Sequence, residues 1–169
     1  MSSVDELFDI VDASDRVVGS GPRSEIHARG QLHRAVHLWL YDPNGRILLQ
    51  RRSLSKDREP GKWTSSVSGH VNAGEAYDAA ILREIPEEIG VPASSCRDFG
   101  RVGYFPACQE TGQEFVWLYR AVHAGPFQPD PTEVAGLEWF PPDQLEPKMK
   151  NQPQEFSSCL LHLWQRRPK

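Results

Sequence analysis

The chain has 169 residues, of which 38% are hydrophobic and 25% are charged, and its net charge at pH 7 is −4. This length predicts one globular domain over residues 1–169, and the mildly acidic balance argues against nucleic acid or an anionic membrane as a partner. The three cysteines form no CxxC pair, the N-terminus is acidic, and no stretch is apolar enough to span a membrane, so we expect a cytoplasmic protein without disulfides.

The first half of the chain predicts mainly strands. Two short apolar runs in LFDIVDASDRVVG indicate an N-terminal hairpin, and a polar stretch follows over residues 20–31. The segment AVHLWLYDPNGRILLQRR predicts a second hairpin, near the centre of a sheet, because the Asn-Gly pair in its turn tolerates positive φ. After the charged loop SLSKDREPGKW, the segment WTSSVSGHV predicts one short strand.

Residues 76–89 follow the 3.6-residue period of an amphipathic helix. Its expected apolar stripe consists of Ile81, Leu82, Ile85 and Ile89. Gly90 is expected to end the helix as its C-cap. Pro86 lies inside the helix and cannot donate a hydrogen bond to Leu82, so we predict a kinked or loosened turn between these two residues.

The second half of the chain predicts further strands and a last helix. Aromatic and β-branched residues mark three strands in RVGYFPA, EFVWLYRAV and GLEWF. Proline-rich connectors, FQPDPTE and FPPDQLEPK, separate the last elements, and SSCLLHLWQRR predicts a terminal helix whose Leu and Trp side chains cover the sheet. The fold class is therefore α/β, with helices packed on a mixed sheet.

The segment REIPEEIGV places Glu84, Glu87 and Glu88 on one face of the predicted helix. Three glutamates on a helix face are most often a solvated surface, but the surrounding sequence argues against that interpretation. The stretch GHVNAGEAYDAAILREIPEEIGV fits the pattern G-x5-E-x7-R-E-U-x-E-E-x-G-U, where U is bulky and aliphatic, at every fixed position. The fixed positions are Gly69, Glu75, Arg83, Glu84, Ile85, Glu87, Glu88, Gly90 and Val91.

This pattern is the Nudix box, and the chain is identified on it as resembling the Nudix hydrolase family. The resemblance implies an α/β/α sandwich and the hydrolysis of a phosphoanhydride in nucleoside diphosphate-linked compounds, with nucleoside 5'-di- or triphosphates as the first choice. It also implies that Mg²⁺ or Mn²⁺ is bound by Glu84, Glu87, Glu88 and the backbone carbonyl of Ser68. Such a hard cation prefers oxygen ligands, neutralises diphosphate charge and activates water.

Other charged residues are expected to support the glutamates. Arg83 lies four residues before Glu87, close enough to orient it by a charge-assisted hydrogen bond. Glu75, at the helix start, is expected to interact with the positive end of the helix dipole. Nudix hydrolases often add a metal-binding acid from outside the box, and Glu114 is the first candidate here, with Glu110 the second.

The segment ILLQRRSLSKDREPGKWTSSVSGH resembles isopentenyl diphosphate isomerase, a Nudix-fold enzyme that moves a double bond without cleaving the diphosphate. This resemblance implies that Arg52 and Lys56 hold a diphosphate, with a solvated loop as an equal alternative. Ser68 stands where the isomerases carry a catalytic cysteine, and the box glutamates are intact. Both features weigh against isomerisation, which stays the alternative function, and the intact glutamates weigh against a binding module without catalysis.

The isomerase metal site uses three histidines and two glutamates. His27, His33 and His70 lie near the matching places, but of the acids only Glu114 lines up, and Gly112 stands in the other place. We therefore expect no zinc site, and we expect these histidines to be satisfied by hydrogen bonds at sheet ends.

Aromatic residues offer a possible stacking surface for a base. Trp63, Tyr104, Phe105 and Trp117 are candidates, although aromatic residues at strand spacing more often belong to the core. The predicted partner is a small-molecule nucleotide or diphosphate, with neither nucleic acid nor a membrane involved, and the protein is expected to be a monomer or a homodimer.

Overall fold

The computed structural model describes residues 6–169. The strands are β1 (Leu7–Val11), β2 (Val17–Pro22), β3 (His33–Tyr41), β4 (Ile47–Arg52), β5 (Trp63–Thr64), β6 (Val67–His70), β7 (Arg97–Phe105), β8 (Glu114–Val122) and β9 (Val134–Phe140). The α-helices are α1 (Arg23–Arg29), α2 (Tyr77–Ile89), α3 (Pro142–Asn151) and α4 (Ser158–Arg166).

The strands form a two-stranded hairpin and a seven-stranded mixed sheet. The strands β1 and β2 pair with each other, and the large sheet has the order β5-β4-β3-β8-β7, with β6 added to β3 and β9 to β4. The central pair β3 and β8 is parallel, whereas its neighbours are antiparallel. Both predicted hairpins are confirmed, and Gly45 in the second turn has a φ of 84°.

The large sheet is covered on both faces, as its alternating side chains require. On β3, Ala35 and Trp39 belong to a core layer with α3 and α4, whereas Val36, Leu38 and Leu40 pack with α2. The predicted terminal helix is confirmed, because α4 places two leucines and a tryptophan in the first layer. The mixed α/β fold class is thus confirmed.

The helix α2 confirms the predicted period but not its whole apolar stripe. Its Leu82 is 44% exposed, so the prediction of that residue as part of the buried stripe was wrong. The buried positions are Ala80, Ile81, Ile85, Glu88 and Ile89. The helix continues through Pro86 and ends at Gly90, whose φ of 71° confirms the C-cap.

Two helices lie where the sequence predicts none. The helix α1 occupies the polar stretch of residues 20–31, where Ile26 is the buried residue that holds it against the hairpin. The helix α3 replaces part of a predicted connector, because Pro142 stands at the first helical position, where no N–H donor is needed. In addition, the single strand expected in WTSSVSGHV is split into β5 and β6.

Within residues 6–169, no helix has both the length and the apolar character that crossing a bilayer requires.

Candidate active site

The three box glutamates lie on α2, beside the backbone of β6. A Cβ atom added to Gly69 of β6 would lie 2.2 Å from the carboxyl carbon of Glu84. Glycine at this position therefore leaves the space that the Glu84 carboxylate occupies. The carboxylate thus lies against the backbone of β6.

Glu88 is held by the sheet itself. It is 6% exposed and occupies the buried stripe of α2. Its Oε1 accepts hydrogen bonds from Nε2 of Gln50 on β4, at 2.7 Å, and from the backbone N–H of Ser68 on β6, at 3.0 Å. The peptide of Ser68 thus lies next to the glutamates. The sequence analysis did not select Gln50. The signal for it was a polar residue directly after three apolar residues in β4.

Arg83 connects the glutamates to each other and to the start of α2. Its guanidinium donates to both carboxylate oxygens of Glu75, at 2.8 and 3.0 Å, and to the carbonyl of His70, at 3.0 Å. It also donates to Glu84 at 2.8 Å and to Glu87 at 3.2 Å. Arg83 therefore orients two of the three box carboxylates, one more than the spacing predicts.

The local electrostatics favour a bound cation. Burial raises the pKa of Glu84, the nearby charge of Glu88 raises it further, and Arg83 offsets part of the shift. Burial also raises the pKa of Glu88, against the hydrogen bonds from Ser68 and Gln50. Buried carboxylates with raised pKa values gain from a divalent cation, and carboxylate oxygens are the ligands that Mg²⁺ and Mn²⁺ prefer.

A second charged pair lies near Glu88. Lys56 forms an ion pair with Glu133, which precedes β9, and the charges of both residues influence the pKa of Glu88. Arg52, at the end of β4, donates from Nε to the carbonyl of Arg58 at 3.0 Å. Sequence reasoning selected the two basic residues but missed Glu133, which lies 45 positions from Glu88 in a proline-rich connector.

Three histidines and a glutamate form a separate cluster. Ligand atoms of His27, His33, His70 and Glu114 all lie within 4.8 Å of one another. Oε1 of Glu114 is 2.8 Å from Nε2 of His70 and 3.3 Å from Nε2 of His33. The carboxylate of Glu114, expected to join the box glutamates, therefore faces the histidines.

The hydrogen bonding of these histidines differs from the expectation. Among the described residues, the two ring nitrogens of half-buried His27 are inaccessible and have no hydrogen-bond partner, and Nε2 of His33 has no partner of acceptable geometry. Burial, together with the nearby charge of His70, lowers the pKa of His27 to about 3. Imidazole nitrogens around a carboxylate can hold a metal ion. The expectation of histidines satisfied by hydrogen bonds holds for His33, which bonds the carbonyl of Gln31, and for His70, which bonds Glu114, but it was wrong for His27. It failed because α1, absent from the prediction, brings His27 to the other two.

The aromatic candidates divide between core and surface. Phe105 is 5% exposed and belongs to the core layer with α4, as the favoured interpretation predicts. Tyr104 is 39% exposed and its hydroxyl donates to Asp15 at 3.2 Å. Trp63 packs edge-on against Phe140.

Comparison with known proteins identifies the family. The family model described as the NUDIX domain matches residues 31–158. An uncharacterized Nudix hydrolase of Streptomyces coelicolor is 39% identical over 152 residues, covering 88% of this chain and 82% of the relative. An isopentenyl-diphosphate Delta-isomerase of Serratia proteamaculans is 33% identical over 160 residues, covering 94% of this chain and 89% of the relative.

Comparison with solved structures agrees on the fold. The crystal structure of DR0079 from Deinococcus radiodurans matches with a TM-score of 0.86 at 28% sequence identity. The match covers 97% of this chain and 100% of the other.

Proposed function

Because this chain belongs to the Nudix family and is a pyrophosphohydrolase, we propose that it acts on nucleoside diphosphate-linked compounds, with nucleoside 5'-di- or triphosphates as the first substrates. The observation that carries this proposal is the convergence of Glu84, Glu87 and Glu88 around the Arg83 guanidinium and the backbone of β6. Three oriented carboxylates, of which that of Glu88 is buried and that of Glu87 is exposed, supply the oxygen ligands that a phosphoanhydride hydrolase needs.

Nudix enzymes use divalent metal ions, and the box glutamates of this chain fit Mg²⁺ or Mn²⁺. Glu84, Glu87, Glu88 and the carbonyl of Ser68 would hold the ion. When bound, it would supply charge neutralisation at the diphosphate and a water of lowered pKa. Buried Glu84 and Glu88 support this assignment, because each carries a raised pKa that a cation would reverse.

The remaining groups act by positioning. Arg83 holds Glu84 and Glu87 in place through its hydrogen bonds, and Gln50 with the Ser68 N–H holds Glu88. A carboxylate held in one orientation accepts a proton from water without a reorganisation cost during the reaction.

Basic side chains would meet the charge of the substrate, and one of them, Lys56, lies near Glu88. Arg52 and Lys56 bind the diphosphate in this proposal, and the Lys56–Glu133 ion pair opens to release the lysine for it. Arg52 is suited to bidentate contact with phosphate oxygens, whereas Lys56 acts as a point charge.

The alternative function is isomerisation of isopentenyl diphosphate. The histidine cluster with Glu114 favours it, as a second candidate metal site, and several relatives carry the isomerase name. Against it stand the intact box glutamates and Ser68, whose hydroxyl has too high a pKa to replace a catalytic thiol.

A substrate panel distinguishes the two functions. The protein is incubated with nucleoside di- and triphosphates, nucleoside diphosphate-linked compounds and isopentenyl diphosphate, each with Mg²⁺ or Mn²⁺. Released phosphate and pyrophosphate are separated by chromatography, and the isoprenoid diphosphate is analysed for a shifted double bond. We expect metal-dependent hydrolysis of nucleotides. Isomerisation of isopentenyl diphosphate with no nucleotide turnover would overturn the proposal.

Variants test the metal assignment. Glu87→Gln and Glu88→Gln should each lower kcat about a hundredfold or more, because they remove charge that holds the ion. The matched control is Glu138→Gln, which removes an exposed carboxylate on β9. Full activity in either box variant would contradict the assignment of these ligands.

The domain organisation and the setting of the protein belong to the same proposal. We take residues 1–169 as one Nudix domain that acts in the cytoplasm as a monomer or homodimer on small molecules, without nucleic acid or membrane.

A further inference from the structure

A mixed group of metal-ligating side chains lies apart from both clusters described above. Ligand atoms of Cys108, Glu110 and His162 all lie within 4.8 Å of one another. The first two belong to the loop between β7 and β8, and His162 belongs to α4. No part of the proposed hydrolysis uses these residues.

The separation of the sulfur and nitrogen atoms matches a shared metal ion. Sγ of Cys108 is 3.6 Å from Nε2 of His162. Zinc binds sulfur at about 2.3 Å and imidazole nitrogen at about 2.0–2.1 Å with tetrahedral angles, which gives a sulfur–nitrogen separation of about 3.6 Å. The two atoms therefore need little movement to share an ion.

The loop that carries Cys108 is fixed by a buried threonine. The backbone N–H of Cys108 donates to Oγ1 of Thr111 at 3.0 Å, and that hydroxyl lies 2.8 Å from the carbonyl oxygen of Glu114. The N–H of Gln113 donates to the carbonyl of Cys108 at 2.8 Å. The thiol is thus presented by an ordered turn, and less entropy is lost on metal binding.

The opposite side of the cluster is equally well supported. His162 lies between the buried residues Leu160 and Leu163 on α4, so the helix backbone that carries the imidazole is anchored in the core. Cys108 and His162 are half-buried and Glu110 is exposed, which leaves the group open to an ion from solvent.

The donor types select the class of metal. One thiolate, one imidazole and one carboxylate suit Zn²⁺ or Co²⁺, whereas Mg²⁺ prefers oxygen ligands alone. The box glutamates offer oxygen only, and the histidine cluster offers nitrogen and oxygen. Sulfur therefore distinguishes this group from both.

We propose that Cys108, Glu110 and His162 form a transition-metal site, with Zn²⁺ as the first choice, that ties the β7–β8 loop to α4. The same loop leads directly into Glu114, and the carbonyl of Gln113 accepts a hydrogen bond from the N–H of His33 at 3.2 Å. A metal ion here stabilises the turn from which Glu114 reaches the histidine cluster. The proposed site of Cys108, Glu110 and His162 does not depend on whether the protein is a hydrolase.

Cobalt titration tests the site because a thiolate–Co²⁺ bond gives a near-ultraviolet charge-transfer absorption that nitrogen and oxygen ligands do not give. The full-length reduced protein is titrated with Co²⁺ and then with Zn²⁺. We expect the absorption to saturate at an intensity that corresponds to one thiolate–cobalt site per chain and to disappear when Zn²⁺ displaces the cobalt. The absence of a saturable absorption would overturn the proposal.

Matched variants identify the ligands. Cys108→Ser should abolish the absorption, and His162→Gln should weaken cobalt binding by more than about tenfold. The control is Cys159→Ser, which changes a half-buried cysteine one helical turn before His162. Desolvation raises the pKa of the Cys159 thiol well above its usual value. An absorption that survives Cys108→Ser, or cobalt affinity unchanged in His162→Gln, would contradict the site.

Folding of each variant is checked by its thermal unfolding curve without metal. The Cys108→Ser protein should unfold near the wild-type temperature in the presence of a chelator but should lose the increase in Tm that Zn²⁺ gives through this site. If Zn²⁺ raised the Tm of Cys108→Ser as much as that of the wild type, the Cys108 thiolate would not be a ligand.

Discussion

Gly69 illustrates how a residue without a side chain shapes the acidic site. The Glu84 carboxyl carbon lies 2.2 Å from where a Cβ of residue 69 would be, and the same helix reaches the peptide of Ser68 through Glu88. The box pattern marks Gly69 as fixed, but the physical reason is a contact across 15 positions of sequence. A residue-level pattern therefore records a tertiary contact that only the structure explains.

Substituting Gly69 by alanine should displace Glu84 without unfolding the protein, because the clash is with the end of a flexible side chain. A displacement of about 1 Å in a catalytic group costs on the order of a hundredfold in rate. We expect such a loss in kcat/KM, measured against Mg²⁺ concentration, with little change in Tm. The control is Gly136→Ala, whose added Cβ meets no atom within 4 Å. Unchanged activity and metal dependence in Gly69→Ala would contradict this account.

Glu114 shows the limit of inference at the residue scale. The sequence selects it as an acid that joins the metal site of the box glutamates, but its carboxylate lies against His33 and His70. The charges and hydrogen bonds of these histidines hold its pKa well below the usual value, although burial alone would raise it. Its position at the first residue of β8 gives no indication of which cluster it joins.

At the scale of elements, the helical period of α2 both buries an apolar stripe and positions the box glutamates. The residues Ile81, Ile85 and Ile89 pack on the sheet, and Glu88 lies on the same buried stripe. Leu82 is exposed instead, because a stripe centred on these isoleucines turns its position toward solvent. The helix thus buries one glutamate together with its apolar face and presents the others at the edge of that face.

Pro86 lies on the exposed side of α2 and leaves the Leu82 carbonyl without its helical N–H donor. Pro86→Ala restores that donor and removes no buried surface. We expect the free energy of unfolding, measured with urea, to rise by about 2 kcal/mol, since a proline inside a helix costs about 3 kcal/mol and its rigidity in the unfolded chain offsets part of this.

The control for this substitution is Pro142→Ala, at the first position of α3, where the missing donor is not needed. Its effect should stay below about 1 kcal/mol. Equal effects of the two substitutions, or no gain in Pro86→Ala, would show that the turn around Pro86 is already relaxed.

At the scale of the whole molecule, the acidic site lies where a helix packs on a mixed sheet. Glu88 touches β4 through Gln50 and β6 through Ser68, and the segment after β8 closes over the end of α2, where the N–H of Asp130 donates to the carbonyl of Glu88. Four separate segments therefore meet at Glu88. A cation bound at this site would reduce the repulsion between carboxylates that the fold holds close together.

Mg²⁺ or Mn²⁺ should therefore raise the Tm of the protein. An ion present at one hundred times its Kd stabilises the folded state by about 2.7 kcal/mol, which corresponds to roughly 5–10 °C for a chain of this size. The measurement is calorimetry in MgCl₂ against NaCl of equal ionic strength. Glu88→Gln should lose most of the increase and Glu138→Gln should keep it, whereas an equal increase in both variants would place the stabilising ion elsewhere.

The sequence alone determined the features that depend on local period and spacing. The helical period over residues 76–89, the Asn-Gly turn, the terminal helix and the motif from Gly69 to Val91 follow from neighbours within a few turns of chain. The family and the α/β class follow from these, because a fixed spacing of charged and apolar residues specifies one local arrangement.

The tertiary structure decided which distant residues meet. It brings Gln50 and Glu133 to Glu88, His27 to the other histidines, and Cys108 to His162. The helix α1, which carries His27, has a single buried residue and no clear apolar period. Contacts of this kind depend on strand order and packing between segments far apart in the chain, and no period within one segment encodes them.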